Sequence, residues 1–378
     1  MTVSPALWPG RPFCLILRKI RSRSGERTGD EMGADMRHSV IYQKEGTYAC
    51  FPTLGYDFAG ALRVRFSTRV LASHIDPRGG HLTLVSQDEG QTWTPGEGEP
   101  LNPDWADAAG AITIPAANGW RYAPAVERVA LEARSLEVRK VPDGSVAFAE
   151  GCVLRRSTDG GLNFVETSLQ TPAQALVMNF YDVASMLRYD EHTLMRVVYG
   201  RPEPNIPFYE VWLLRSSDDG GTWAWTTLAS DPKCQVGLGE SSLLRTGDGD
   251  VIAMMRAEPV RQHPHLHLSR SSDAGLTWSE PVNTRISGHP PHLLCLRDGR
   301  ILCSYGFRQE RMGIRVVVSD DDGHTWSEPR VLRDDGCGRG GDLGDPVTVQ
   351  LSDDSLLTVY YFTGADGITH VAGTNWTL

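Results

Sequence analysis

The stretch Ser319-Asp320-Asp321-Asp322-Gly323-His324-Thr325-Trp326 reads Ser-x-Asp-x-Gly-x-Thr-Trp, and the same eight-residue box returns at residues 86–93, 216–223 and 271–278. A fifth copy at 157–164 keeps Ser157, Asp159 and Gly161 and carries Phe164 in place of the tryptophan. Successive box aspartates (88, 159, 218, 273, 321) lie 48 to 71 residues apart, the mark of an array of supersecondary units. The chemistry of the box is that of a tight turn. The aspartate accepts hydrogen bonds from backbone N–H groups just ahead of it. The glycine permits a backbone conformation closed to other residues. The tryptophan offers a large apolar body to wedge between neighbouring units. Four full matches at five fixed positions exclude a chance run of turn residues.

A second repeat surrounds the boxes: an apolar run, an Asp-rich turn, then another apolar run. The turns are Pro142-Asp143-Gly144, Asp190-Glu191-His192, Asp248-Gly249, Asp298-Gly299 and Asp353-Asp354, each flanked by β-formers. One unit is therefore strand, turn, strand, loop, strand, box, strand, a four-stranded antiparallel sheet. Six such units are expected, at about 38–100, 120–170, 175–230, 235–283, 288–333 and 341–378. The turn of the first, near Asp57–Gly60, reads as irregular. The expected fold is all-β, a six-bladed β-propeller over residues 37–378 with the strand near Ser39–Gln43 completing the last blade. Residues 1–36 read as a disordered extension.

Composition agrees with an all-β chain of many turns: 378 residues with 39 glycines, 23 prolines and 40% hydrophobic residues. A net charge of −10 argues against nucleic acid and anionic membranes as partners. No run approaches the length of a membrane span, and the short apolar piece at 13–17, broken by Arg18, Lys19 and Arg21, does not form a signal peptide. Seven unclustered cysteines point to a reducing compartment. A cytoplasmic protein is expected.

Antiparallel order sorts the loops by face. The Asp-Gly turns and the boxes lie on one face, so a ligand site belongs on the other. Eight residues before each turn aspartate, at the entry to each innermost strand, stand Ser135, Asp182, Glu240, Pro290 and Asp345. Three of these five are carboxylates converging on one place, and such groups shift one another's pKa or require cations. Arg256 and Arg308, at the ends of second strands, are placed to supply them. The corresponding loop of the first unit holds Ser73-His74-Ile75-Asp76. Paired carboxylates are what glycoside hydrolysis uses, and arginines over the mouth suit a substrate carboxylate.

The boxes, the six units, the Glu240-to-Arg256 spacing, Arg308 after Tyr305-Gly306 and the closing Asn375-Trp376-Thr377-Leu378 resemble the sialidase superfamily. The resemblance covers about residues 38–378. It implies that Glu240 corresponds to the carboxylate that polarises a tyrosine nucleophile, and that Arg256 and Arg308 are the second and third members of an arginine triad. The chain departs from that pattern in two places. Cys50 stands where the first triad arginine belongs, with Arg69 as a possible substitute, and Asp345 stands where the tyrosine belongs. His74 or Asp76 would be the proton donor, and Asp182 a substrate contact. The reading is an exo-glycoside hydrolase acting on a terminal, acidic sugar, with no cofactor. A non-catalytic glycan- or protein-binding propeller and a uronic-acid lyase remain alternatives. His263-x-His265-x-His267, with His289 and His292, is a weak candidate for a metal. Trp120-Arg121-Tyr122 is a candidate for stacking on a sugar ring.

Overall fold

The computed structural model describes residues 36–378 except 71–75, 77, 135–136, 142, 172–175, 180–184, 203–205, 207, 234, 260–264 and 338–341. The expected extension at 1–36 thus falls almost wholly outside the described residues. The chain is all-β, built of antiparallel sheets laid down in chain order, an arrangement consistent with a propeller. The first sheet holds Tyr48–Tyr56, Leu62–Arg69, Gly79–Ser86 and Thr94–Gly96. The fourth holds Val236–Arg245, Val251–Pro259, His265–Ser271 and Val282–Ser287, and the fifth Pro291–Cys295, Ile301–Phe307, Met312–Ser319 and Arg330–Gly336. The third is five-stranded around Leu194–Arg201 and Glu210–Ser216. In the sixth, Gly344–Gln350, Leu356–Thr363 and Thr369–Trp376 are joined by Arg37–Tyr42 from the other end of the chain. The N-terminal strand therefore completes the last sheet, as its sequence suggested, and covers an edge that would otherwise be open.

Burial follows position within a sheet. Ile301–Phe307 and Leu356–Thr363 are buried at every residue, because second strands are packed on both faces by neighbouring sheets. The outer strand Val282–Ser287 buries one residue in six. The five boxes share one hydrogen-bond pattern. In the last, Asp321 Oδ1 accepts from Thr325 N at 2.8 Å and Gly323 N donates to Ser319 Oγ at 2.8 Å. The variant box keeps it, with Asn163 N and Nδ2 donating to the Asp159 carboxylate at 2.9 and 2.7 Å. Box residues pack on the preceding sheet: Trp278 joins the core of Met195 and Leu213, and Trp326 that of Ile252 and Ile301. The first box meets the last sheet, since Gly90 faces Leu357 and Glu89 accepts from Ser352 N at 3.1 Å.

The second unit corrects the sequence reading. Six turns share an N–H to C=O bond spanning four residues, and they begin at Asp57, Asp107, Tyr189, Thr246, Leu296 and Leu351. The first of these is regular after all: Asp57 Oδ1 accepts from Ala59 N and Ala61 N, both at 2.9 Å. The second sheet starts from the matching turn at Asp107, not from Pro142-Asp143-Gly144. Its strands are Ile112–Ala117, Cys152–Ser157 and Val165–Leu169. Leu101, bridged to Tyr56, and the short helical turn Pro103–Trp105 stand where other sheets have an inner strand. Residues 118–151 are an insertion between that sheet's first two strands in chain order. They form their own three-stranded sheet of Arg121–Ala123, Glu137–Lys140 and Val146–Ala149 with a short helix, Arg128–Glu132. The turn near Asp143 repeats the hydrogen bonding of the others, Val141 N to Ser145 O at 2.9 Å, which is why it mimics them in sequence.

Candidate functional site

The inner strands of three sheets carry a bulge near the end remote from their Asp turns. Phe51-Pro52, Gly239-Glu240 and Asp345-Pro346 each interrupt the ladder, two residues opposing one. Bulges re-aim side chains and bend a strand, and here they turn Glu240 and Asp345 into a common cleft. Asp345 takes the left-handed conformation (φ 47°), as does Phe51 (φ 55°), a cost that aspartate tolerates better than a bulky residue.

The cleft has a volume of about 690 Å³, within the ordinary range for small-ligand sites. It brings together four of the residues singled out in sequence: Glu240, Asp345, Arg256 and Arg308. Arg256 Nη1 donates to Glu240 Oε2 at 2.9 Å, and its Nη2 lies 2.5 Å from Glu258 Oε1. Arg308 is fixed by its Nε to Leu343 O (2.8 Å) and by Nη2 to the Tyr361 hydroxyl (3.1 Å), with Asp345 Oδ2 at 3.9 Å. Tyr361 donates in turn to Asp342 Oδ1 at 2.5 Å, and Tyr48 donates to the other Asp342 oxygen. Burial raises the pKa of Asp342 and pushes that of Tyr361 well above the usual phenol range. His289 is held down to about 2 by burial and by Arg256 and Arg308 beside it, so it is neutral at pH 7.

The other predicted residues are elsewhere. Asp76 is fully buried and locked to Arg78, with Nε and Nη2 of the arginine at 2.9 and 3.3 Å from its two oxygens. Arg78 also reaches Asp143 of the insertion at 3.0 Å. Arg69 donates to Ser67 Oγ at 3.2 Å and lies beside Cys50, and neither lines the cleft. His74, Asp182, Ser135 and His263 lie outside the described residues. Trp120 sits under Arg139, whose guanidinium carbon is 4.9 Å from the ring centre, and Tyr122 is largely exposed. Among the described residues no group of three or more His, Cys, Asp or Glu is placed to hold a metal ion. No helix among them is long and apolar enough to cross a membrane.

Several lining residues escaped the sequence reading. Arg65 and Arg155 share Glu99, which Arg155 grips with Nη1 and Nη2 both at 2.9 Å while Arg65 stands 3.6 Å away. His81 is depressed to about 4 by burial and by Arg65 and Arg69. Arg196 and Tyr199 enter from the third sheet, and Arg139 and Lys140 from the insertion. Arginines within otherwise apolar strands, as in Leu62-Arg63-Val64-Arg65-Phe66, were the available signal. These arginines stand on second and third strands, outside the register that the inner strands share. No box residue lines the cleft. Among the described residues, seven basic and three acidic side chains do, in a chain whose net charge is −10. A basic concavity in an acidic molecule concentrates anions.

The all-β scaffold thus gathers carboxylates from inner strands and arginines from second strands into one cleft, an arrangement consistent with a propeller. Residues 141–356, more than half of the chain, match the family model described as the BNR repeat-like domain, and the chain belongs to that family. No curated protein matches the sequence. Among solved structures, a protein of unknown function from Dyadobacter fermentans is 26% identical, with a TM-score of 0.74 over 91% of this chain and 99% of its own. The NanB sialidase of Streptococcus pneumoniae is 12% identical, with a TM-score of 0.59 over 90% of this chain and 70% of its own. The α-L-arabinofuranosidase Arb93A of Fusarium graminearum is also 12% identical, with a TM-score of 0.59 over 90% and 97%. The fold is thus glycoside-hydrolase-like.

Proposed function

We propose that this chain is an exo-acting glycoside hydrolase, a closed six-bladed propeller that releases a terminal acidic sugar at the cleft around Glu240 and Asp345. The observation that supports it most is the meeting of those two carboxylates with Arg256 and Arg308 in one cleft. Glycosidic cleavage through an oxocarbenium-like transition state needs one carboxyl group to protonate the leaving oxygen or hand over to a donor, and a second to attack or to activate water. Glu240 and Asp345 are the pair, and Arg256 and Arg308 grip the sugar's carboxylate with planar, directional donors. Tyr361 is poorly suited to be a nucleophile, because it is buried and its hydroxyl is committed to Asp342. Asp76 is engaged by Arg78, which leaves His74 as the donor from the first unit's loop. The contact between the first box and the sixth sheet supports ring closure.

The test is a screen of aryl glycosides, with sialosides, uronides and the arabinofuranosides suggested by the Fusarium neighbour, on the purified chain. Glu240→Gln and Asp345→Asn are each expected to lower kcat/KM by about 10³-fold or more on whichever substrate turns over, the scale of losing an essential acid or base. Unchanged turnover in both variants sinks the mechanism. A product with a new ultraviolet-absorbing double bond would mark a uronic-acid lyase instead.

A further inference from the structure

The bulges of the first and sixth sheets are alike. In each, two residues stand where the partner strand has one: Phe51 and Pro52 opposite Phe66, Asp345 and Pro346 opposite Tyr360. Phe51 thus holds the position that Asp345 holds in the sixth sheet. Each is followed by proline, and each is in the left-handed region, at φ 55° and 47°. A left-handed bulge position is ordinarily taken by glycine, which adopts it without strain. Aspartate tolerates it, but for a bulky side chain it is a genuine outlier. Strain of this kind persists at ligand sites, where the surroundings hold a side chain in the place that binding needs.

Phe51 lines the cleft and is half-buried, packed against the cluster of Tyr48, Cys50 and Tyr361. It meets Tyr361 edge to face, with centroids 5.6 Å apart and planes at 70°. That contact covers at most one face of the Phe51 ring. Tyr361 in turn holds Arg308. Tyr361 and Cys50, the chain neighbour of Phe51, both feel the charge of Asp345, so the ring stands close to that carboxylate. Pro52 and Phe66 extend the apolar wall beside it. A sugar is polar around its rim and carries C–H bonds on the faces of its ring. An apolar wall next to a few directional polar groups is what fixes the orientation of such a ligand.

We propose that Phe51 is a substrate-binding platform, its ring stacking on a C–H face of the terminal sugar and holding that sugar over Asp345. This deepens the reading of the cleft as a sugar site and rests on it. The experiment is a saturation-transfer NMR titration of the full chain with the methyl glycosides of N-acetylneuraminate, glucuronate and galacturonate. At least one of these probes should bind the wild type. Phe51→Leu keeps apolar bulk but has no ring face, and should weaken that probe about three- to tenfold. Phe51→Tyr keeps the ring and should keep the affinity to within about twofold. On whichever aryl glycoside turns over, Phe51→Leu should raise KM by a like factor and change kcat little. A ring that only props Tyr361, and through it Arg308, predicts otherwise: the effect of Phe51→Leu would vanish in the Tyr361→Phe protein, where that link is already cut. Direct stacking predicts that the effect remains there. Wild-type affinity in Phe51→Leu, an equal loss in Phe51→Tyr, a vanished effect in the Tyr361→Phe background, or no binding of any probe overturns the proposal. Ring-dependent binding without hydrolysis of any glycoside sinks the hydrolase reading alone. Hydrolysis that needs Glu240 and Asp345 but is indifferent to Phe51→Leu sinks the platform alone.

Discussion

Arg308 is aimed by a short chain of hydrogen bonds rather than by its own packing. Asp342 accepts from Tyr361 and Tyr48, and Tyr361 holds Arg308 Nη2 at 3.1 Å. Replacing Tyr361 by Phe keeps the ring and its edge contact with Phe51 (5.6 Å between centroids) but removes the hydroxyl. Asp342 then loses one of its donors in a buried setting, which costs about 1–3 kcal/mol. Urea unfolding of Tyr361→Phe should show that loss, and the variant should bind an acidic sugar more weakly because Arg308 is no longer held in register. Full stability in the variant would mean that the hydroxyl is not what satisfies Asp342. How much of this was legible in sequence is set by where each residue stands. Glu240 and Asp345 could be found because inner strands share a count from their turns. Tyr361 and Arg65 lie on second strands and Arg155 on a third, where no motif marks the residue that faces the cleft. Glu99 stands in a segment that replaces a strand, so no register reaches it.

The boxes are turns that must satisfy two demands at once, a left-handed backbone and close approach to the neighbouring sheet. At Gly220 (φ +85°) an added Cβ would lie 2.8 Å from Thr113 Cβ. At Gly249 (φ +97°), in an Asp-Gly turn, an added Cβ meets nothing within 4 Å. Gly249→Ala therefore isolates the backbone cost, about 1–2 kcal/mol. Gly220→Ala adds displacement of the second sheet and should cost about 3 kcal/mol or more in all. Urea unfolding of the pair separates the two effects, and equal losses would show that the box is a local turn and not a joint between sheets. The same chemistry explains both the success and the error at this scale. Five boxes were readable because Ser, Asp and Gly each have a fixed task in the turn. The second unit was misplaced because Asp143 and Asp107 make equivalent turns. The one at Asp107 is written Asp107-Ala108-Ala109-Gly110, without flanking β-formers on its N-terminal side.

At the scale of the whole molecule, adjoining sheets share their apolar faces: Leu54 and Val64 of the first sheet pack in one cluster with Val347 and Val359 of the sixth. Such an assembly also buries histidines. His292 is buried at 8% exposure, near Thr348 of the next sheet, and burial holds its pKa down to about 4. His81 is likewise near 4 and His289 near 2. His38 and His267 are shifted in the same direction. Between about pH 6.5 and 4 the unfolded chain takes up protons at these positions and the folded chain does not, so stability falls as pH falls through that window, by about 1.4 kcal/mol per unit for each histidine fully affected. The box aspartates act in a separate window. Asp88, Asp159, Asp273 and Asp321 are held near 2 by their turn hydrogen bonds, with burial opposing at Asp321, so their contribution is present above about pH 4 and is lost only below it. Asp342 and Glu210, raised by burial, oppose the histidines near the bottom of the upper window, since their neutral forms favour the folded chain. His192, raised by its hydrogen bond to Asp219, opposes them as well, and three groups against five leave the buried histidines in control from about pH 6.5 to 5. The urea midpoint should accordingly drop as pH is lowered from 7 to about 5, and His292→Asn should flatten that slope by up to one proton's worth. A midpoint that stays level over this range would mean that these histidines are hydrated and protonate without disturbing the joint between the fifth and sixth sheets.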